Sequence, residues 1–309
     1  PAATPSRAIS SAGLTVQRRP DADATTMPPK ETLQFGKTFS PHMLMCRYAN
    51  SSGGWDAPEI VPFQELRLSP AASALHYGLE CFEGMKAYKS VDDDSDLRLF
   101  RPQLNMKRLK DSMDRLAMPG NDFDSEELIR CIGELVRVDQ DWIPSGEGYS
   151  LYVRPTVIAT HPYLGVAPPD DLLLYVITSP VGPYYASGFD PVRLTADTPY
   201  VRAWPGGSGN SKVGGNYAPT MKPGAEAARR GYSQVLWIFG EKDEVTEVGA
   251  MNVFFLFRKE DGRTELVTPP LERGDILPGV TRRSVLELCA GWGEFDVAER
   301  SVTMPEVRD

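Results

Sequence analysis

The chain has 309 residues, enough for roughly two domains, and its 41% hydrophobic and 24% charged content is that of an ordinary soluble globular protein. A formal net charge of −9 speaks against nucleic-acid binding, which usually shows as a basic excess. Cys46, Cys81, Cys131 and Cys289 form no CxxC pair and His42, His76 and His161 no HxxxH pair, so free thiols and no metal site are expected; no apolar run approaches the roughly 20 residues of a membrane-spanning helix.

The sequence begins at Pro1, and residues 1–19 carry Arg7, Arg18 and Arg19 with no acid. That composition fits an organelle transit segment or a disordered tail equally well. Disorder is expected over 1–30, and the compartment expectation is mitochondrial, with plastid or cytoplasmic as alternatives. Order begins near Leu33. Met43–Tyr48 reads as a strand, Trp55–Leu66 as turn and short strand, and His76–Tyr88 as a short helix followed by a strand. A helix over 103–117 would bury Leu109, Met113 and Leu116. The clearest helix spans 125–139, with Asp124 as cap, Glu127 as its reciprocal partner, and Leu128, Ile132, Leu135 and Val136 on the apolar face. Tyr149–Ala159 and Leu172–Ile177 read as strands that complete a small domain over 31–182.

Turn formers in Gly182-Pro-Tyr-Tyr-Ala-Ser-Gly188 suggest an interdomain linker over 183–191. A second domain over 192–309 shows strands at 192–196, 234–239, 251–257 and 264–268, the last two joined at Asp261-Gly262. A helix follows Pro278-Gly279 and runs to about Ala290, with a strand at Glu294–Arg300 after it. The fold class is α+β.

One segment carries chemistry: Gly206-Gly-Ser-Gly-Asn-Ser-Lys-Val-Gly-Gly-Asn-Tyr217, a lysine within glycines. A phosphate-binding P-loop needs Gly-Lys-Ser/Thr, and Ser211 and Val213 flank this lysine instead. By itself, the segment reads as a surface loop. It has company, however. Phe35-Gly-Lys-Thr-Phe39, Ala74-Leu-His-Tyr-Gly-Leu-Glu-Cys-Phe-Glu-Gly84, Asn105-Met-Lys-Arg108, Ser150-Leu-Tyr-Val-Arg-Pro155, Ser179-Pro-Val-Gly-Pro-Tyr184, Thr246-Glu-Val-Gly-Ala-Met-Asn252, Ile276-Leu-Pro-Gly-Val-Thr-Arg282 and Trp292-Gly-Glu-Phe295 occur in order along the chain. With the lysine loop they resemble the branched-chain aminotransferases, of eukaryotic type, among the fold-type IV pyridoxal-phosphate enzymes.

The resemblance implies two α/β domains with pyridoxal 5'-phosphate between them. It implies that Lys212 forms the Schiff base and shuttles a proton, that Glu247 pairs with the pyridine nitrogen, and that Tyr217 lies near the phenolic oxygen. Arg108 would bind the phosphate, as would Val280 and Thr281 at a helix start where backbone N–H groups lack acceptors. For Arg108 the alternative is a solvent-facing stripe with Ser112 and Arg115. For Glu247 it is a solvated turn beside Glu241, Asp243 and Glu244.

Phe39, Tyr77, Phe82, Tyr152 and Tyr184 would line an apolar substrate pocket, and Arg154 would take the side-chain carboxylate of glutamate. The implied reaction is reversible transfer of the amino group of leucine, isoleucine or valine to 2-oxoglutarate, by a homodimer that binds neither nucleic acid nor membrane. A D-amino-acid aminotransferase or aminodeoxychorismate lyase of the same fold, or a non-catalytic homologue, are the alternatives. Ala250 departs from the threonine common after Glu-Val-Gly. Relatives also continue past the position of Asp309 with a loop for the substrate carboxylate, so the second domain is expected to be cut short.

Overall fold

The structure, a computed structural model, describes residues 7–20, 26–90, 92–93, 96–183 and 190–308. It divides into two units, Pro1–Phe189 and Asp190–Asp309.

In the first unit the strands are β1 (Thr15–Val16), β2 (His42–Ala49), β3 (Gly54–Trp55), β4 (Glu59–Pro62), β5 (Glu80–Phe82), β6 (Met85–Lys89), β7 (Leu97–Leu99), β8 (Ser150–Ala159) and β9 (Asp171–Val181). They form one sheet in the order β1-β4-β2-β9-β8-β6-β7, with β3 on β2 and β5 on β8. All pairs are antiparallel except β1 with β4. The helices are α1 (Ser73–Tyr77), α2 (Pro102–Arg115) and α3 (Ser125–Val138). Helix α3 buries Leu128, Cys131, Ile132, Leu135 and Val136 and packs on β2, while α2 packs on α3 and β5.

Along β8 the side chains alternate, as the pleat requires. Leu151 and Val153 are buried, while Tyr152 and Arg154 lie on the more open face. That alternation sets apart the polar face which concerns the site.

Asp124 caps α3 by accepting from the Glu126 N–H at 2.9 Å. Glu127, expected to reach back to the cap, is drawn elsewhere. Its carboxylate accepts from the Ser11 N–H at 2.5 Å and pairs with Arg130. This exposes a larger departure from expectation, because residues 7–19 are not a tail. The Arg7 N–H donates to Gly53 O at 2.7 Å, Ile9 is 1% exposed, β1 joins the sheet, and the Arg19 N–H donates to His42 Nε2 at 2.8 Å. His42 is buried with Nδ1 2.6 Å from Asp139 Oδ1. Short polar stretches such as Ser10–Gly13 show no periodicity, so their tertiary partners are invisible in sequence.

The second unit contains β10 (Leu194–Thr195), α4 (Met221–Arg229), β11 (Gln234–Phe239), β12 (Glu244–Val248), β13 (Phe255–Arg258), β14 (Thr264–Thr268), α5 (Val280–Trp292), β15 (Asp296–Glu299) and α6 (Met304–Arg308). Two three-stranded sheets result among the described residues, β10-β11-β12 and β13-β14-β15. Strand β11 divides two small cores by its alternation. Val235 and Trp237 pack with Ala227 of α4, and Leu236 packs with Val245 and Val248 of β12. No helix was expected at α4, which contains Pro223 and Gly224. They fall in its first turn, where a missing N–H costs nothing.

The four cysteines are free and buried. No helix among the described residues is long and apolar enough to cross a membrane, and they hold no metal-ligating cluster.

The buried His42–Asp139 pair generates a prediction. Burial pushes the Asp139 carboxyl up and His42 opposes that push, so removing the imidazole leaves a buried acid without its partner. His42→Ala should cost roughly 3 kcal/mol or more in urea unfolding. It should also free the N-terminal strap, read as faster tryptic cleavage after Arg18.

Candidate active site

The lysine loop is held by its own side chains. Asn216 Nδ2 donates to Ser208 O at 2.8 Å and to Ser211 O at 2.9 Å, and Ser208 Oγ donates to Asn216 Oδ1 at 2.6 Å. The Asn210 N–H donates to Gly274 O at 3.2 Å. At Gly209 a Cβ would lie 2.5 Å from the Asp275 carbonyl oxygen, so only glycine permits this approach. On this support Lys212 Nζ donates to Tyr217 Oη at 3.1 Å. The five-residue spacing seen in the sequence thus becomes a contact.

Glu247 lies on β12 and is 1% exposed, so it is no solvated turn residue. Its Oε1 accepts from Asn252 Nδ2 at 3.2 Å and from the Leu277 N–H at 3.3 Å. Its Oε2 forms an ion pair with the Arg202 guanidinium. Burial pushes the carboxyl up to about 7, while Arg202, the Leu277 N–H and Lys212 pull it back toward the ionised form. Lys212 is therefore close enough to act on Glu247 electrostatically.

Asn252 also donates to Leu277 O at 2.9 Å, and so joins Glu247 to the approach of α5. That helix has Gly279 as N-cap without a side-chain cap. Val280 and Thr281 occupy its first turn, where N–H groups have no acceptor within the helix. Arg202 and Leu277 carry no expected role in the sequence. Arg202 sits in Val201-Arg-Ala-Trp with no spacing to mark it. Leu277 contributes only a backbone N–H.

In the first unit, Phe82, Tyr152 and Arg154 come together. Arg154 Nε and Nη2 donate to Tyr152 Oη at 3.1 and 2.8 Å, and the guanidinium lies 4.5 Å from the Phe82 ring centre. Phe35, not expected there, meets Tyr152 edge-on at 4.9 Å. Phe39 stacks on Phe63 at 5.1 Å, and Tyr77 Oη donates to Leu164 O at 2.5 Å. Tyr184 lies outside the described residues.

Arg108 is not on a solvent-facing stripe. It is 7% exposed, Ser112 is 0% exposed, and its fork grips Glu83.

Comparison with known proteins gives the family. The amino-transferase class IV family matches residues 80–309. The branched-chain-amino-acid aminotransferase of Monosiga brevicollis is 54% identical over 288 residues, 92% of this chain and 72% of that protein. The mitochondrial branched-chain-amino-acid aminotransferase of Mus musculus is 54% identical over 281 residues, 91% of this chain and 70% of its own length. Mitochondrial and cytosolic forms both occur among the relatives. The crystal structure of the branched-chain aminotransferase from the archaeon Thermoproteus uzoniensis with norvaline superimposes with a TM-score of 0.67, at 25% identity, over 85% of this chain and 80% of that one. The chain belongs to the branched-chain-amino-acid aminotransferase family, within the class IV aminotransferases. The fold is accordingly α+β of the fold-type IV kind, the chain is a transaminase, and the family implies pyridoxal phosphate as cofactor.

The buried carboxyl makes stability depend on pH. Folding raises Glu247 from an ordinary value of 4.5 to about 7, so the folded cofactor-free protein holds a proton that the unfolded chain has released in that window. The group's contribution is full below the window and is lost as pH rises through it. Glu247→Gln should abolish this slope. In urea unfolding between those pH limits, wild type should lose on the order of 2–3 kcal/mol more than the variant.

Proposed function

We propose that this chain transfers the amino group of leucine, isoleucine or valine reversibly to 2-oxoglutarate, giving glutamate and the branched 2-oxo acid, with pyridoxal 5'-phosphate attached at Lys212. One arrangement carries the proposal. Lys212 touches the Tyr217 hydroxyl, and Glu247 in the same unit is a buried carboxylate paired with Arg202 and within electrostatic reach of Lys212. A buried carboxylate of that kind suits the N–H of a protonated pyridine ring. Relatives sharing half of the sequence carry the branched-chain name, which favours this reading over a D-amino-acid aminotransferase or aminodeoxychorismate lyase.

When bound, the cofactor supplies a ring that accepts the electrons left at the substrate Cα. The chain's own residues supply the rest. Glu247, ionised with the help of Arg202 and the Leu277 N–H, holds the ring nitrogen's proton in place. The Lys212 amine would shuttle the proton between the substrate Cα and the cofactor carbon, and the Tyr217 hydroxyl would hold Nζ in position for it. Arg108 and the first-turn N–H groups of Val280 and Thr281 are the proposed phosphate donors.

On the substrate side, Phe39, Tyr77, Phe82, Tyr152 and Tyr184 are the proposed apolar lining. Arg154 is the proposed partner of the glutamate side-chain carboxylate. Lying against Phe82 and held by Tyr152 Oη, its guanidinium presents a planar donor beside ring faces. A branched aliphatic side chain would pack on the rings, and a carboxylate would pair with the fork. The homodimer implied by the resemblance belongs to this reading, with Leu75, Tyr163, Leu164 and Val166 as exposed apolar side chains of the first unit.

Borohydride reduction of the cofactor-loaded protein, followed by peptide mapping, should find the cofactor on Lys212. A label on another lysine overturns the assignment. Arg154→Met should raise KM for 2-oxoglutarate roughly tenfold or more while leaving KM for leucine within about threefold. Equal losses for both substrates would show that Arg154 does not discriminate between them.

A further inference from the structure

Glu83 follows β5 and is 0% exposed. Its backbone is tied to β8, the N–H donating to Pro155 O at 2.7 Å. Its carboxylate is unusually well served. Arg108 Nε donates to Oε1 at 2.7 Å and Arg108 Nη2 donates to Oε2 at 2.8 Å, a bidentate fork. Asn105 Nδ2 donates to Oε2 at 2.8 Å and the Gly84 N–H to the same oxygen at 3.1 Å. Asn105 and Arg108 lie three positions apart on α2 and so share one face of it. The carboxylate thus joins a turn of α2 to the sheet through several charge-assisted bonds. As a stabilising device this is a poor choice, since a buried ion pair rarely outdoes well-packed apolar side chains. What a bidentate pair provides is orientation. It fixes the plane of the guanidinium and removes the rotational freedom of a long side chain.

We propose that Glu83 is a positioning residue, holding the Arg108 guanidinium in the one orientation that receives the phosphate monoester of the cofactor. The inference rests on the phosphate role proposed above for Arg108. Glu83 also offsets part of the Arg108 charge, so its benefit to a phosphate lies in geometry and not in added positive potential. A variant that keeps the charge and moves the carboxylate is therefore the informative one. Glu83→Asp withdraws the carboxylate by one methylene while preserving its charge. Asn105→Ala removes a second support of Oε2 and leaves the ion pair intact.

The experiment measures dissociation constants of pyridoxal 5'-phosphate and of pyridoxal by absorbance titration of the full chain stripped of cofactor, for wild type, Glu83→Asp, Asn105→Ala and Arg108→Met. The readout is the factor by which the phosphate form binds more tightly than pyridoxal, which isolates the phosphate contribution. Glu83→Asp is expected to lower that factor about tenfold with pyridoxal binding unchanged, Asn105→Ala to lower it severalfold, and Arg108→Met to lower it at least as far as Glu83→Asp. If Glu83→Asp does not fold, Asn105→Ala decides by the same factor. Wild-type factors in both variants, with the factor lost in Arg108→Met, overturn the positioning role and leave the phosphate reading standing. An unchanged factor in Arg108→Met overturns both together. Equal weakening of pyridoxal and its phosphate shows a structural role and also overturns the proposal.

Discussion

A carboxylate removed from water is costly, and the second unit is organised around keeping one there. Glu247 is buried on β12, where desolvation favours its neutral form. Three features oppose that tendency: the Arg202 guanidinium, the Leu277 N–H and the charge of Lys212. Asn252 completes the set by donating to Glu247 and to Leu277 O together. The approach to α5, the end of β12 and the lysine loop are therefore coupled through a single acid. Ionised Glu247 suits a pyridine N–H, and ionised Glu247 is also what Arg202 and Lys212 favour. The same electrostatics supports the local fold and, in the proposed function, the chemistry.

The first unit repeats the device with Glu83. There the acid belongs to a turn, the base to α2, and the amide of Asn105 bridges Oε2 to the Gly84 carbonyl at 3.0 Å. Gly84 connects this cluster to the aromatic one. A Cβ at Gly84 would lie 2.2 Å from Tyr152 Oη, the atom that receives both Arg154 hydrogen bonds. A short stretch, Phe82-Glu83-Gly84, thus supplies a ring under Arg154, an anchor for Arg108, and the space in which the Tyr152 hydroxyl sits. Three neighbouring residues acquire distinct tasks because successive side chains near a strand end point to different faces.

Much of this was legible in sequence. The α3 cap and apolar face, the alternation of β8, the hairpin at Asp261-Gly262 and the start of α5 follow from local rules, and the structure places them within a residue or two of expectation. Lys212 and Tyr217 stand five positions apart in the lysine motif, and the structure brings them into contact. Other features were not legible. Helix α4, with Pro223-Gly224 in its first turn, was not expected, and β12 lay among acids that read as a turn. Residues 7–19 read as a tail because their partners, Gly53, Glu127 and His42, lie far away along the chain.

The sequence by itself determined the family, the α+β class, the lysine in its glycine-rich loop, and which elements alternate at period two or repeat at helical spacing. Those are local properties, written in residue type and spacing. Only the tertiary structure decided the polar partners: Arg202 for Glu247, Glu83 for Arg108, Asp139 for His42. Burial of a charge creates the demand for a counter-charge, and the residue that meets it is whichever the fold brings within reach. Helix α4 and strand β11 lie between Arg202 and Glu247 along the chain, and no periodicity connects the two. The lysine motif could therefore be read directly, while the acids and bases that make it useful had to be seen in space.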